Sequence, residues 1–318
     1  MTGECLLKAI QQQISIKDSI TAIISLAIAI VALSCIAIFF RLLEREIGPF
    51  ATAFHRVWLA TFLLGIWNRL QTLRYHFDRE KPVQQDPYTS WVLAQLLIAG
   101  ICFAGDQLLW AWSLTKISVA NSTLLTNLSP LWTTLFGWSI WGQHFEKRFL
   151  IGMVVAIVGA CIIGVEDMQV AIGSLQGDGA AVLASICFSI YLLIVEKLRE
   201  KFSAETILFW SSLFSTLWIL PIVLVMEDRL FPYSWQSWVF VILLGLICQI
   251  LGQGLVNYCL KRLSSGFVAI SLLLAPIMTA ILAWVIFSES MSISNGVAFV
   301  VILLGIYLAK SSDSAVKE

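Results

Sequence analysis

Residues 104–138 and 250–284 carry one pattern twice, 146 positions apart. Without a gap, Gln107 falls on Gln253, Ser118 on Ser264, Leu128 on Leu274, Pro130 on Pro276, Thr133 on Thr279 and Trp138 on Trp284. The register reaches back to Cys102 and Cys248 and onward to Gly159 and Gly305, and the turn residue Lys116 matches Arg262. Two apolar helices share leucine and valine by chance. Paired prolines, glutamines and tryptophans at one offset over about sixty positions mark an internal duplication. Each copy reads as helix, tight turn, helix.

The solvent around the copies follows from composition. A chain of 318 residues that is 59% hydrophobic and 13% charged has more apolar surface than one aqueous core can hide. Apolar runs of membrane-crossing length lie near 20–40, 49–67, 91–113, 118–141, 148–165, 178–196, 205–226, 237–260, 266–287 and 293–310. The expected fold is an all-α integral membrane protein of ten spans. Its divisions are an N-terminal segment 1–19, a first five-helix unit 20–165, a second 178–310 and a tail 311–318. The first twenty residues lack the compact apolar core of a signal peptide. The longest connection, 68–90, is too short and polar to bury a core. The cysteines show no pair or metal spacing and read as small packing residues.

Orientation follows from Lys and Arg. The N-terminus, the even-numbered loops and the C-terminus hold 15 of them against 4 in the odd-numbered loops, which places both termini in the cytoplasm. Five spans per copy is an odd number, so the copies enter the membrane from opposite sides. That arrangement is an inverted repeat, suited to alternating access around a midplane site.

Cost identifies the candidate binding residues. Asp106 is an acid well inside the third span, where a charge is expensive and by default functional. Trp110 shares its face and Gln107 is adjacent; a bond to a neighbouring helix is the structural alternative. In the eighth span Gln249, Gln253 and Asn257 recur every four residues, one amide face that must turn inward to a cavity or to partner helices. Pro130 and Pro276 each free a carbonyl, that of Thr126 or Leu272, which needs a new donor. Asn127 belongs to a polar run, Asn121 to Ser129, around the first break; Ser271 alone lies near the second, so the fourth span should supply more polar contacts than the ninth. Tyr191 and Ser189 in the sixth span are further cavity candidates. His55 and Arg56, about two turns from the end of the second span, suit a snorkelling anchor better than a solute-carboxylate site. With Arg56 so assigned, no Lys or Arg lies near mid-span. Amino acids, amines and neutral polar metabolites are then favoured over phosphorylated solutes.

With the repeat, the ten spans and the paired prolines, the chain resembles the drug/metabolite transporter superfamily, in particular its EamA-type members. AFHRVWLA resembles that family's arginine-containing second helix, LTNLSPLW and LLLAPIMT its proline-bearing fourth and ninth helices, and FSES, with Glu289, its acidic residue after the ninth. Gln143 stands where the first copy would carry the matching acid. The resemblance implies a secondary permease, often an exporter, with a central cavity.

Other classes fit poorly. The chain lacks a phosphate-binding GxxxxGKS/T loop and an HExxH motif, and AGDQ lacks the first glycine of the intramembrane aspartyl protease pattern. Neither catalytic residues, a metal, a cofactor nor a nucleic-acid partner is expected. The expected partners are a small-molecule solute and the lipid bilayer of a bacterial inner membrane, with protons as a coupling ion. A polar-solute channel or a membrane scaffold is the alternative to a carrier.

Overall fold

In the computed structural model, residues 2–77, 88–166, 174–288 and 293–316 are described; Glu289, the acid expected after the ninth span, lies outside them. The helices are α1 (Thr2–Leu43), α2 (Pro49–Phe77), α3 (Ser90–Leu114), α4 (Val119–Thr126), α5 (Ser129–Trp141), α6 (Lys147–Glu166) and α7 (Leu175–Leu198). They continue with α8 (Ala204–Met226), α9 (Trp235–Leu243), a π-helical stretch Leu244–Gln253, α10 (Gly254–Cys259), α11 (Ser265–Leu272), α12 (Ala275–Phe287) and α13 (Ile293–Lys310). Every apolar run is helical, and among the described residues eight helical segments are long and apolar enough to cross a membrane. The fold is an all-helical membrane bundle of two inverted five-helix repeats.

Three runs expected as single helices are interrupted. The fourth divides into α4 and α5 and the ninth into α11 and α12, with Pro130 and Pro276 in the first turn of the second half of each. Proline at that position loses only an amide that the helix start would leave unpaired, so it begins a new helix instead of kinking an old one. The eighth run passes from α9 through the π-helical stretch into α10, a wider winding that four-residue spacing does not reveal.

The duplication holds to the residue. Shifting α4 and α5 by 146 positions gives the bounds of α11 and α12. Ser118 and Ser264 both cap the first half-helix, their side chains accepting the amides of Asn121 and Phe267 at 3.2 and 3.3 Å. The left-handed residues Gly142 (φ 63°) and Ser288 (φ 56°) end the second half-helix, again 146 positions apart. The packing obeys the same exchange. α3 packs on α7 as the π-helical stretch packs on α1; α3 meets α8 as that stretch meets α2; α5 meets α7 as α12 meets α1. Helices α6 and α13, equivalent to each other, form a close seam. A Cβ on Gly152 would stand 2.5 Å from the Ala309 amide, and one on Gly305 would stand 2.5 Å from that of Ala156. Backbones this close need small residues, the usual means of packing helices in lipid.

Candidate functional site

The broken helices face each other across the bundle, and each second half-helix is tied at its start to the other repeat. Ser189 Oγ of α7 donates to the Ser129 carbonyl at 2.9 Å. Ser34 Oγ of α1 donates to the Ala275 carbonyl at 3.1 Å, and positions 129 and 275 are equivalent under the repeat. Thr133 Oγ1 adds a donation to Ser129 O at 2.8 Å, while Thr279 Oγ1 donates to Ser34 O at 3.0 Å. Each break is thus tied to the other repeat by a serine hydroxyl, at the carbonyl one position before the proline and not at the carbonyls of Thr126 and Leu272 that the prolines free. Ser189, a cavity candidate in the sequence, is fully buried at this bond and does not border the cavity. Ser34 went unnoticed in the sequence because one serine in an apolar helix carries no pattern.

Between the breaks lies a cavity of about 990 Å³ walled chiefly by α1, α2, α3, α4, α5, α7, α11 and α12, with Ala160 of α6, Asn295 of α13 and Gln253 of the π-helical stretch. It extends to the end of the bundle that carries Glu44, Ile47, Thr115 and Asn295. At the opposite end Phe145 stacks on Phe149 at 5.0 Å. There the chain's tail also ties two turns together, with Ser264 Oγ donating to Ser314 O at 2.8 Å and the Glu146 amide to Ser314 Oγ at 3.0 Å.

Of the sequence candidates, Asp106, Gln107, Trp110, Asn127, Gln253 and Pro276 border the cavity. Gln107 is the hub: its Nε2 donates to Asp106 Oδ2 at 2.9 Å and its Oε1 accepts from Arg56 Nη1 at 3.0 Å. Trp110 stands edge-on to Phe40 of α1 at 4.9 Å. Asn127 ends α4 at the first break. The fourth run contributes Thr123, Thr126, Asn127 and Ser129 to the wall, the ninth chiefly apolar residues and Thr279, in line with the asymmetry of their sequences.

The structure does not bring every candidate to the wall. Tyr191, Gln249 and Asn257 are fully buried between helices. Tyr191 Oη donates to Asn257 Oδ1 at 2.9 Å and accepts from Gln253 Nε2 at 3.5 Å, and Gln249 Nε2 donates to Ser212 Oγ on α8 at 3.2 Å. The amide face thus points inward, but only Gln253 reaches the cavity while its neighbours join helices. Pro130 is buried behind the wall.

Arg56 departs from its sequence reading. It does not snorkel to an end of the bundle but lies 4% exposed on the cavity wall, so the premise that no cation faces the centre is corrected. Its face was legible: Pro49, Thr52 and Arg56, at helical spacing, all border the cavity. His55 points away from it. Its Nδ1 accepts from Trp58 Nε1 at 2.7 Å and its Nε2 meets the Leu230 carbonyl at 2.7 Å, which fixes it as a neutral structural pin. Among the described residues no cluster of three or more His, Cys, Asp or Glu is arranged to hold a metal.

Comparison with known proteins agrees with this architecture. The EamA-like transporter family matches residues 20–165 and 175–310. The chain is similar to an uncharacterized transporter of Archaeoglobus fulgidus, 23% identical over 283 residues, which covers 87% of this chain and 92% of the relative. It is similar to the pseudopaline exporter CntI of Pseudomonas aeruginosa, 21% identical over 68% of this chain and 75% of the exporter. A solved protein crystal structure shares the fold with a TM-score of 0.75, 17% identity and coverage of 92% of this chain and 98% of the other.

Proposed function

This chain belongs to the EamA-like transporter family, and on that premise we propose that it is a secondary carrier that exports small organic solutes such as amino acids or amines. It is an integral, multi-pass membrane transporter. The observation that carries the finer reading is the cavity of about 990 Å³ at the meeting of two inverted broken helices, bordered by Asp106, Gln107, Trp110, Asn127 and Gln253. Such a site is of the size that encloses a small molecule. Its position between inverted repeats supports alternating access, in which the repeats exchange roles and the open end of the cavity changes. Asp106 supports proton coupling, since a bare charge inside a span is costly and intramembrane carboxylates pair with cations or relay protons.

The Lys and Arg distribution supports cytoplasmic termini in a bacterial inner or plasma membrane. The open end, at Glu44 and Thr115, then faces outward. An exporter among the relatives supports outward transport. The test is solute flux in proteoliposomes. A carrier gives uptake that saturates with concentration and accelerates when unlabelled solute is loaded on the far side. Unsaturable flux without that acceleration would mark a channel and overturn the reading.

A further inference from the structure

Arg56 is a group on the cavity wall to which the carrier reading gives no task. The residue is 4% exposed. Nη1 donates to Gln107 Oε1 at 3.0 Å, and Nε is buried without a partner among the described residues. A guanidinium offers five donors in a planar fork, and leaving part of it unpaired away from water is expensive. Packing against the Phe103 ring, 5.8 Å from the guanidinium carbon, satisfies none of these donors.

What faces Arg56 sharpens the point. Gln107 also donates to Asp106 Oδ2 at 2.9 Å, so one amide side chain stands between a cation and an anion on the same wall. Direct bidentate pairing of Arg56 with Asp106 would consume the fork. The intervening amide instead presents the two charges separately to the cavity. Nearer the open end the wall carries one further charge of each sign, Arg41 and Glu44, and Arg41 lies over the Phe287 ring at 4.5 Å. A wall balanced in this way repels a multiply charged phosphate at its acids as much as it attracts it at its cations.

Resting on the carrier reading of the cavity, we infer that Arg56 receives a carboxylate of the cargo while Asp106 faces its ammonium group. The cargo is then a zwitterion with both groups, and Arg56 is the residue that distinguishes it from an amine of the same skeleton.

The experiment is binding to the purified full-length protein, read as ligand-induced rise in melting temperature. Leucine and phenylalanine are each titrated beside their decarboxylated amines, their deaminated acids and phosphoserine. The remaining proteinogenic amino acids extend the panel. The wild-type protein should bind a zwitterion at least roughly tenfold more tightly than the matched amine or acid, the value of one charge-assisted hydrogen bond. Arg56→Gln should remove that preference, weakening the zwitterion roughly tenfold more than the amine, and Arg56→Lys should restore part of it, since a lysine keeps the charge but not the fork. Equal wild-type affinity for zwitterion and amine overturns the inference whether or not the variants fold, and leaves the carrier standing. So does an equal loss of both ligands in Arg56→Gln. If no amino acid or amine binds at all, the inference falls together with the proposed solute class, while saturable, trans-stimulated flux of another solute would keep the carrier reading alone.

Discussion

Glu227, the residue that follows α8, caps the start of α2: its Oε1 accepts the Phe50 amide at 2.7 Å. The turn between α1 and α2 returns the arrangement, with Glu46 Oε2 accepting the amides of Tyr233 and Ser234 at 3.0 and 3.1 Å at the start of α9. Two carboxylates from two turns therefore exchange helix starts, where both the unpaired amides and the helix dipole favour negative charge. A Cβ on Gly48 would stand 2.5 Å from Glu227 Oε1. Gly48→Ala should dislodge the cap and lower stability by about 1 kcal/mol. Combined with Glu227→Ala it should add little more, because both remove the same interaction. Additive losses in melting experiments would show that Gly48→Ala does not act through the cap.

The two caps titrate in opposite senses. Burial pushes the Glu227 carboxyl up, against amides of Ala51, Phe50 and Gly48 that pull it down, and the net is upward. A raised value in the folded state makes its contribution fullest below the ordinary carboxylate range and lost as pH rises through the folded value. At Glu46 burial also pushes upward, but hydrogen bonds from Ser234, Ser237 and Tyr233 win, and the net is downward. Its contribution is present above the ordinary range and lost on acidification. Melting temperature measured against pH should show wild type gaining on Glu227→Gln as pH falls and losing ground to Glu46→Gln. Slopes of the same sign would contradict these assignments.

How much of this was legible in the sequence depended on pattern. Pro130 and Pro276 marked the two breaks, although each run was expected as a single helix; the half-helices and caps that the structure shows then repeat at the offset of 146, because duplication repeats backbone requirements as well as side chains. Ser34, which ties the second break to α1, lies in a helix whose copy aligns poorly, and an isolated serine has no period; Ser189 was a cavity candidate and instead bonds the first break. Arg56 was misjudged because distance along a helix says how far a charge is from the end, not which face it is on. The four-residue amide stripe was inward as expected. The π-helical stretch then sent Gln253 to the cavity and left Gln249 against Ser212.

Tyr191 separates packing from binding. Its hydroxyl joins Asn257 and Gln253 behind the wall, so Tyr191→Phe should cost about 1–3 kcal/mol of stability by stranding buried amides. Transport by the folded remainder should be nearly unchanged. Gln253→Leu should lower both stability and apparent solute affinity. A Tyr191→Phe protein of normal stability but altered affinity would place Tyr191 in the site.

The seam of α6 and α13 tolerates no added atom. Gly152→Ala puts a methyl 2.5 Å from the Ala309 amide and 2.6 Å from the Gly305 carbonyl, backbone that has no rotamer to escape into, so a loss of about 1–3 kcal/mol is expected. Gly179, the fifth residue of α7, has nothing within 4 Å of an added Cβ. Gly179→Ala should therefore be neutral or stabilising by up to about 1 kcal/mol. Equal effects of the two changes on melting temperature would remove the seam from the account.

The central claim is that the cavity at Asp106 is the place where solute and driving ion meet. It is tested most directly by Asp106→Asn, which keeps size and hydrogen-bonding capacity but removes the proton site. Proton-driven solute accumulation and gradient-free exchange should be measured on one purified preparation, together with its melting temperature. The account predicts that accumulation collapses while exchange survives at saturating solute, with a weaker apparent affinity, and melting temperature stays close to wild type. Normal proton-driven accumulation by the Asp106→Asn protein would contradict it.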